Sequence, residues 1–403
     1  TAVGAGVTAK AYVGILSAYQ IYGDGSNITG LSAGFTPDAD ENLVAGTCAG
    51  INLDGSAGCF NILLGACAGC NVTSGPNNIF LGSCAGKDAT SSDCNIALGY
   101  RASRCMETGT GNIALGSYSG GAFGSGVSGN CNVSMGVCAL QQLTGGHCNV
   151  ALGMLAGGGG APGSRSIAIG VCAGWCGIKS DDTIAIGYLA GCMAADPAHG
   201  CGIFIGRYAG QDAEEGKAIM IGCEAGRCAA NAINSIFIGK GSGKCACNSA
   251  DGNVFIGDFA GKGSTTLSDN SGSYNIAFGK NAMFQFTSGS RNIAIGCRAL
   301  GAGAVSGNYN IAFGNNAGCS LTSGCSNFIA GLSAGASGTI TGTHNILLGD
   351  CSGKVLTSGT NNVFLGRTTG RCVSSTSNNV HIGNMAGRYS EGGYNILFGR
   401  CAG

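Results

Sequence analysis

One five-residue pattern governs where this chain is apolar: Asn, aliphatic, variable, aliphatic, Gly. It reads Asn61-Ile62-Leu63-Leu64-Gly65, Asn78-Ile79-Phe80-Leu81-Gly82 and Asn95-Ile96-Ala97-Leu98-Gly99, and it is intact at Asn395-Ile396-Leu397-Phe398-Gly399. Its glycine recurs from Gly46 to Gly399 in about 21 copies, roughly 17 to 18 residues apart, the mark of a solenoid whose repeats pack on their neighbours. Alternation with period two, rich in Ile, Val and Phe, predicts a short strand in each copy. Helical repeats are longer, and glycine costs about 1 kcal/mol at each helix position. The expected fold is therefore all-β: a parallel β-solenoid (β-helix or β-roll) with one strand per coil. At about 4.8 Å per coil it makes a rod on the order of 100 Å long.

Each position in the coil has an expected task. The two aliphatic residues of the strand (Ile113 and Leu115, Ile167 and Ile169, Ile293 and Ile295) are expected to fill the interior. The residue between them then points outward. That outward position is mostly Ala, or Phe204, Phe237, Phe255 and Phe364, with Ser134 and His381 as the polar exceptions. A sheet that is apolar on both faces is covered on both faces. The four phenylalanines are thus the expected subunit interface of a homo-oligomer. The leading Asn (Asn61, Asn78, Asn95, Asn112, Asn292, Asn310) is expected to form a structural amide ladder between coils. Five consecutive copies lack it: Ser166, Thr183, Gly202, Ala218 and Ser235. This sector, about 161–250, also holds the sole tryptophan, Trp175. Ala-Gly corners follow the strand. An apolar residue seven places after the strand glycine (Val72, Leu143, Phe286, Leu321, Leu356) is expected to enter the core from the other side. Thr-Ser-Gly turns then reverse the chain. Length varies in these returns, notably within 116–136 and 257–279, where loops would project.

Composition agrees with this picture and narrows the chemistry. Glycine supplies 78 of 403 residues, and charged residues are 10% against a usual ~25%. With 20 basic and 20 acidic groups the chain is neutral, which speaks against nucleic acid. No apolar run is long enough for a membrane helix, so no membrane partner is expected. The 24 cysteines recur at fixed places: Cys48, Cys67 and Cys84 on successive turns, Cys131 and Cys148 on two more, Cys192 and Cys201 around one return. Stacked positions lie within disulfide range, so structural disulfides or a buried thiol ladder are expected; a metal site is the competing chemistry. Cys67-Ala68-Gly69-Cys70 has no second pair at zinc spacing, and Cys-x-x-Cys-His is absent. Disulfides would imply an oxidising compartment.

No catalytic constellation emerges. His147, His199, His344 and His381 occupy unrelated positions, and Asp258 and Asp350, equivalent in the repeat, are many turns apart. No phosphate loop or calcium-roll motif occurs. No catalytic residue, metal or cofactor is assigned. Sequons fall at Asn27, Asn71 and Asn132, the last two explained by the repeat.

The Asn-Ile-Ala-Leu-Gly words with Ala-Gly corners resemble the β-roll heads of trimeric autotransporter adhesins. A closer resemblance is to virion structural proteins of marine tailed phages, especially cyanophages. It lies in Tyr22-Gly23-Asp24-Gly25-Ser26-Asn27-Ile28-Thr29-Gly30, in Asn42-Leu43-Val44-Ala45-Gly46-Thr47-Cys48-Ala49-Gly50 and in the cysteine-studded Asn-Ile-x-x-Gly-x-x-Ala-Gly array. The resemblance implies an oligomeric tail-fibre or appendage component, located on a virion or outside the cell. The expected partner is a second copy, as a trimer or an end-to-end filament, with other virion proteins or a host-surface glycan as further partners. An extracellular filament or adhesin is the alternative, and a polysaccharide-cleaving β-helix enzyme a third reading. Segment 1–41 is expected to be an adaptor or cap and 42–403 the repeat array. The last residues, Arg400-Cys401-Ala402-Gly403, carry no polar cap and are expected to dock on another chain or on further sequence.

Overall fold

The computed structural model describes residues 37–403 except 56, 122, 124–125, 160–162, 176–180, 194–199, 214–216, 231, 247–250 and 265–269. Most of the expected adaptor, 1–36, lies outside the described residues. Strands of three residues run from β1 (Leu43–Ala45) to β21 (Ile396–Phe398) and form one parallel 21-stranded sheet. Each strand pairs with the next in strict register, so Ile62 lies beside Ile79, Leu63 beside Phe80 and Leu64 beside Leu81. There is no helix among the described residues. The chain is a β-solenoid, as its period predicts.

The coil closes through left-handed corners. Strand-terminal Gly65 has φ +134°, and a Cβ there would lie 2.7 Å from the carbonyl of Gly82 in the next coil. No side chain fits that approach, which explains the most regular glycine of the repeat. Two residues on, Cys48, Cys67 and Cys84 adopt φ 58°, 55° and 58°, an uncommon conformation for non-glycine residues. Another left-handed residue, such as Cys131 or Cys148, immediately precedes the leading Asn.

The strand faces are the reverse of the expectation. The central residue points inward: Phe237, Phe255 and Phe364 are 0% exposed, Phe204 is 2%, and the alanines at this position are equally buried. The four phenylalanines are therefore core of a single chain, not a subunit interface. The flanking aliphatics face outward. Parity explains the reversal. Asn61 and Leu63 are two apart in an extended strand and share a face, and the Asn is buried. A 17-residue coil also encloses too thin an interior for two large residues per strand.

The residue seven after the glycine does enter the core, since Val72, Leu143, Phe286, Leu321 and Leu356 are all buried. Its size compensates that of the central strand residue. Phe80, Phe204, Met220 and Phe237 share their coils with Ala89, Ala213, Ala229 and Ala246. Ala97, Ala277 and Ala312 share theirs with Met106, Phe286 and Leu321. The two positions meet across coils as well: Phe255 packs edge-on against Phe286 at 5.6 Å and parallel to Phe237 at 5.3 Å.

Candidate functional site

The outward face of the sheet is the most distinctive surface. Its first position runs Leu43, Ile62, Ile79, Ile96, Ile113 and onward to Ile396, and its third runs Ala45, Leu64, Leu81, Leu98, Leu115 and onward to Phe398. Every residue at both positions, in every strand, is apolar. Stacking half-buries them, yet Met135, Phe278, Ile311 and Phe313 stay substantially exposed. Over β4–β9 (Ile96–Leu98 to Ile184–Ile186) the residue after the strand glycine extends the apolar character in every strand but β5, where it is Ser117, with Tyr100, Val137, Met154, Val171 and Tyr188 all exposed. Sequence reasoning missed this face because it placed these residues inside. Asn parity was the available signal.

The asparagines form a ladder inside the coil wall. Asn61 Oδ1 accepts from the Asn78 backbone N–H at 2.8 Å and from Asn78 Nδ2 at 3.1 Å, while Nδ2 of Asn78 donates to the Ser92 carbonyl at 2.8 Å. Asn95, Asn112, Asn292 and Asn310 repeat this pattern. Each amide thus ties its strand to the coil before and to its own return. In the Asn-free sector, Ser166 Oγ accepts from the Thr183 N–H at 3.2 Å, and Gly202 makes room for the Phe204 ring.

Among the described residues the cysteines form neither disulfides nor a buried ladder. No described cysteine is joined to another; Cys48, Cys131, Cys148 and Cys201 are exposed, Cys67 and Cys84 half-buried, and only Cys192 of the seven is buried. The left-handed corner turns the side chain outward. Equivalent side chains in successive coils run parallel, whereas a disulfide needs a dihedral near 90° and converging Cβ atoms. Partial burial, with the thiols of Cys84, Cys48 and Cys70 nearby, raises the Cys67 pKa. Alkylation of the unreduced, denatured protein is expected to add 24 adducts by intact mass, one for each cysteine. A shortfall in even steps would restore disulfides.

Charged groups lie outside the strands, and several pair across coils. Arg165 forks onto Asp182 (2.6 and 2.9 Å) and reaches Asp181 at 3.1 Å, and its hydrogen bond holds the Asp182 carboxyl below the ordinary range. Lys244 donates to Glu224 at 2.7 Å with the same effect. Asn132, in a sequon, is buried in the ladder and closed to glycosylation. Asn27 and His199 lie outside the described residues. Ser134, in the core, pairs with Ser119 Oγ at 2.8 Å. His381, also in the core, has no partner for either ring nitrogen. Among the described residues no three His, Cys, Asp or Glu side chains converge to hold a metal, and no helix is long and apolar enough to cross a membrane.

The class defined by these features is the parallel β-solenoid with an apolar outer sheet face. No protein-family model matches the chain, and no curated protein sequence matches it.

Proposed function

We propose that the chain is a structural rod that works as a side-by-side homo-oligomer, a fibre or appendage component. The unbroken apolar strip along the outer sheet face carries this reading. With ~4.8 Å per coil and a strand width near 10 Å, the strip covers on the order of 1,000 Å², above the ~800 Å² each partner buries in a standard interface. Soluble monomers rarely leave such a patch in water. A second copy offers the same strip at the same repeat, so the two match along their whole length. Scattered carboxylates favour a structural over a catalytic role. The resemblance of the Asn-Ile-x-x-Gly-x-x-Ala-Gly array to tailed-phage virion proteins supports a virion fibre, with a trimer as the expected assembly.

Light scattering tests the assembly. The native protein is expected at a multiple of 39.5 kDa, and Ile169→Glu with Ile186→Glu is expected to move it toward 39.5 kDa with an unchanged circular-dichroism spectrum. A wild-type mass of one chain would end the proposal. Co-purification with capsid and tail proteins distinguishes the virion fibre from a cellular filament, which would give long polymers without capsids.

A further inference from the structure

The longest described coil carries a cleft that rod formation does not use. Asn253 and Asn275 stand 22 residues apart, against 17 for Asn275 and Asn292. Buried Asn270 accepts from the Ser264 N–H at 3.0 Å and donates to the Ser264 and Cys245 carbonyls at 2.8 Å. Beside it the returns of three successive coils are bridged in parallel, Gly263 to Phe286 and Phe286 to Val305. These bridges give a fixed floor. Over it lies an open cleft of about 320 Å³, lined by Lys262, Ser264, Phe284, Gln285, Thr287 and Ala304. None of these residues belongs to a strand.

The lining has a definite chemistry. Lys262 Nζ lies 5.0 Å from the centre of the Phe284 ring and 5.6 Å from that of Phe259, and it has no carboxylate partner among the described residues. Phe259 and Phe284 meet edge to face at 6.3 Å, and Lys240 lies 5.5 Å from Phe259. The Gln285 side chain is exposed and makes no hydrogen bond within the described protein. No acidic side chain lines the cleft among the described residues.

We propose that this cleft binds an acidic saccharide of the uronate class. The carboxylate pairs with Lys262, a sugar ring lies against Phe284, and ring hydroxyls meet the Gln285 amide. An ammonium with no carboxylate partner among the described residues, set beside an aromatic face, selects a ligand that is anionic at one edge and apolar on a face. The arginine fork that favours bidentate phosphate recognition is absent. The volume of about 320 Å³ suits a small ligand.

Calorimetric titration of the full chain with trigalacturonate tests the proposal, with its methyl ester as the neutral match. Saturable binding of the acid is expected, at least tenfold weaker for the ester and for Lys262→Gln, and weakening with salt. Phe284→Ala is expected to weaken it several-fold, and Lys87→Gln, elsewhere on the rod, to leave it unchanged. An unchanged melting temperature in each variant separates lost binding from lost fold. Absence of binding at millimolar trigalacturonate, equal affinity for the ester, or inorganic phosphate binding at Lys262 in its place would each overturn the assignment. The oligomer proposal would survive any of these results, because its test reads mass alone.

Discussion

Phe237→Ala is expected to cost about 3–5 kcal/mol of stability, and Ala246→Phe in the same chain to return most of it. Phe237, in β12 (Ile236–Ile238), fills its coil from the strand side, and Ala246 closes the same coil from the return. Truncating the ring removes its parallel stack with Phe255 at 5.3 Å and leaves a cavity that the thin coil cannot close. Ala246→Phe alone overfills the interior and is expected to cost about 1–3 kcal/mol. Together the two changes transfer the ring from one wall to the other, the arrangement the chain already uses with Ala277 and Phe286. Denaturant unfolding and hydrogen exchange over the neighbouring coils supply the four corners of a double-mutant cycle. Simple additivity of the two penalties would show that the positions do not share one volume.

His381→Leu is expected to raise stability by about 1–3 kcal/mol near pH 8, and by more as the solution is acidified. The ring occupies the central core column between Phe364 and Leu397, stacked on Phe364 at 4.9 Å, with Gly387 at the adjoining corner. None of these neighbours carries a charge, and burial pushes the His381 pKa down. Above the ordinary histidine value of about 6.5 the ring is neutral in folded and unfolded chains, and the wild type shows only the cost of unpaired nitrogens. As pH falls through that value the unfolded chain takes up a proton that the buried ring refuses. Stability is therefore lost from about pH 6.5 downward, until the lowered folded pKa is reached. The gap between wild type and His381→Leu is expected to widen from pH 7 to pH 5. A gap that stays constant over that range would mean that the ring reaches solvent.

Period, strand positions, corner glycines and the second core residue were all legible in the sequence, because each repeats and each answers a local backbone demand. The direction of the strand side chains was not. Three residues such as Ile-Ala-Ile favour large side chains inside when read alone, and only the buried Asn two places before the alanine fixes the parity. The compensation between Phe80 and Ala89, or between Ala97 and Met106, was equally visible and points the same way. Cysteine spacing misled because in-register stacking meets the distance for a disulfide and not its dihedral. The cleft at Lys262 depends on returns from three coils, and no single repeat contains it.

The strand hydrogen bonds run along the rod axis, coil to coil, so a pull on its ends loads each coil boundary in tension rather than in shear. Boundaries from Asn42 to Asn149, and again from Asn253 to Asn395, add an amide bond to the strand ladder. At the boundaries that follow Gly202 and Ala218 that extra bond is missing, since neither residue has a side-chain oxygen to accept it. A rod under tension yields first at its least-bonded boundary, so the boundaries that follow Gly202 and Ala218 are expected to open before those of either Asn-bearing arm.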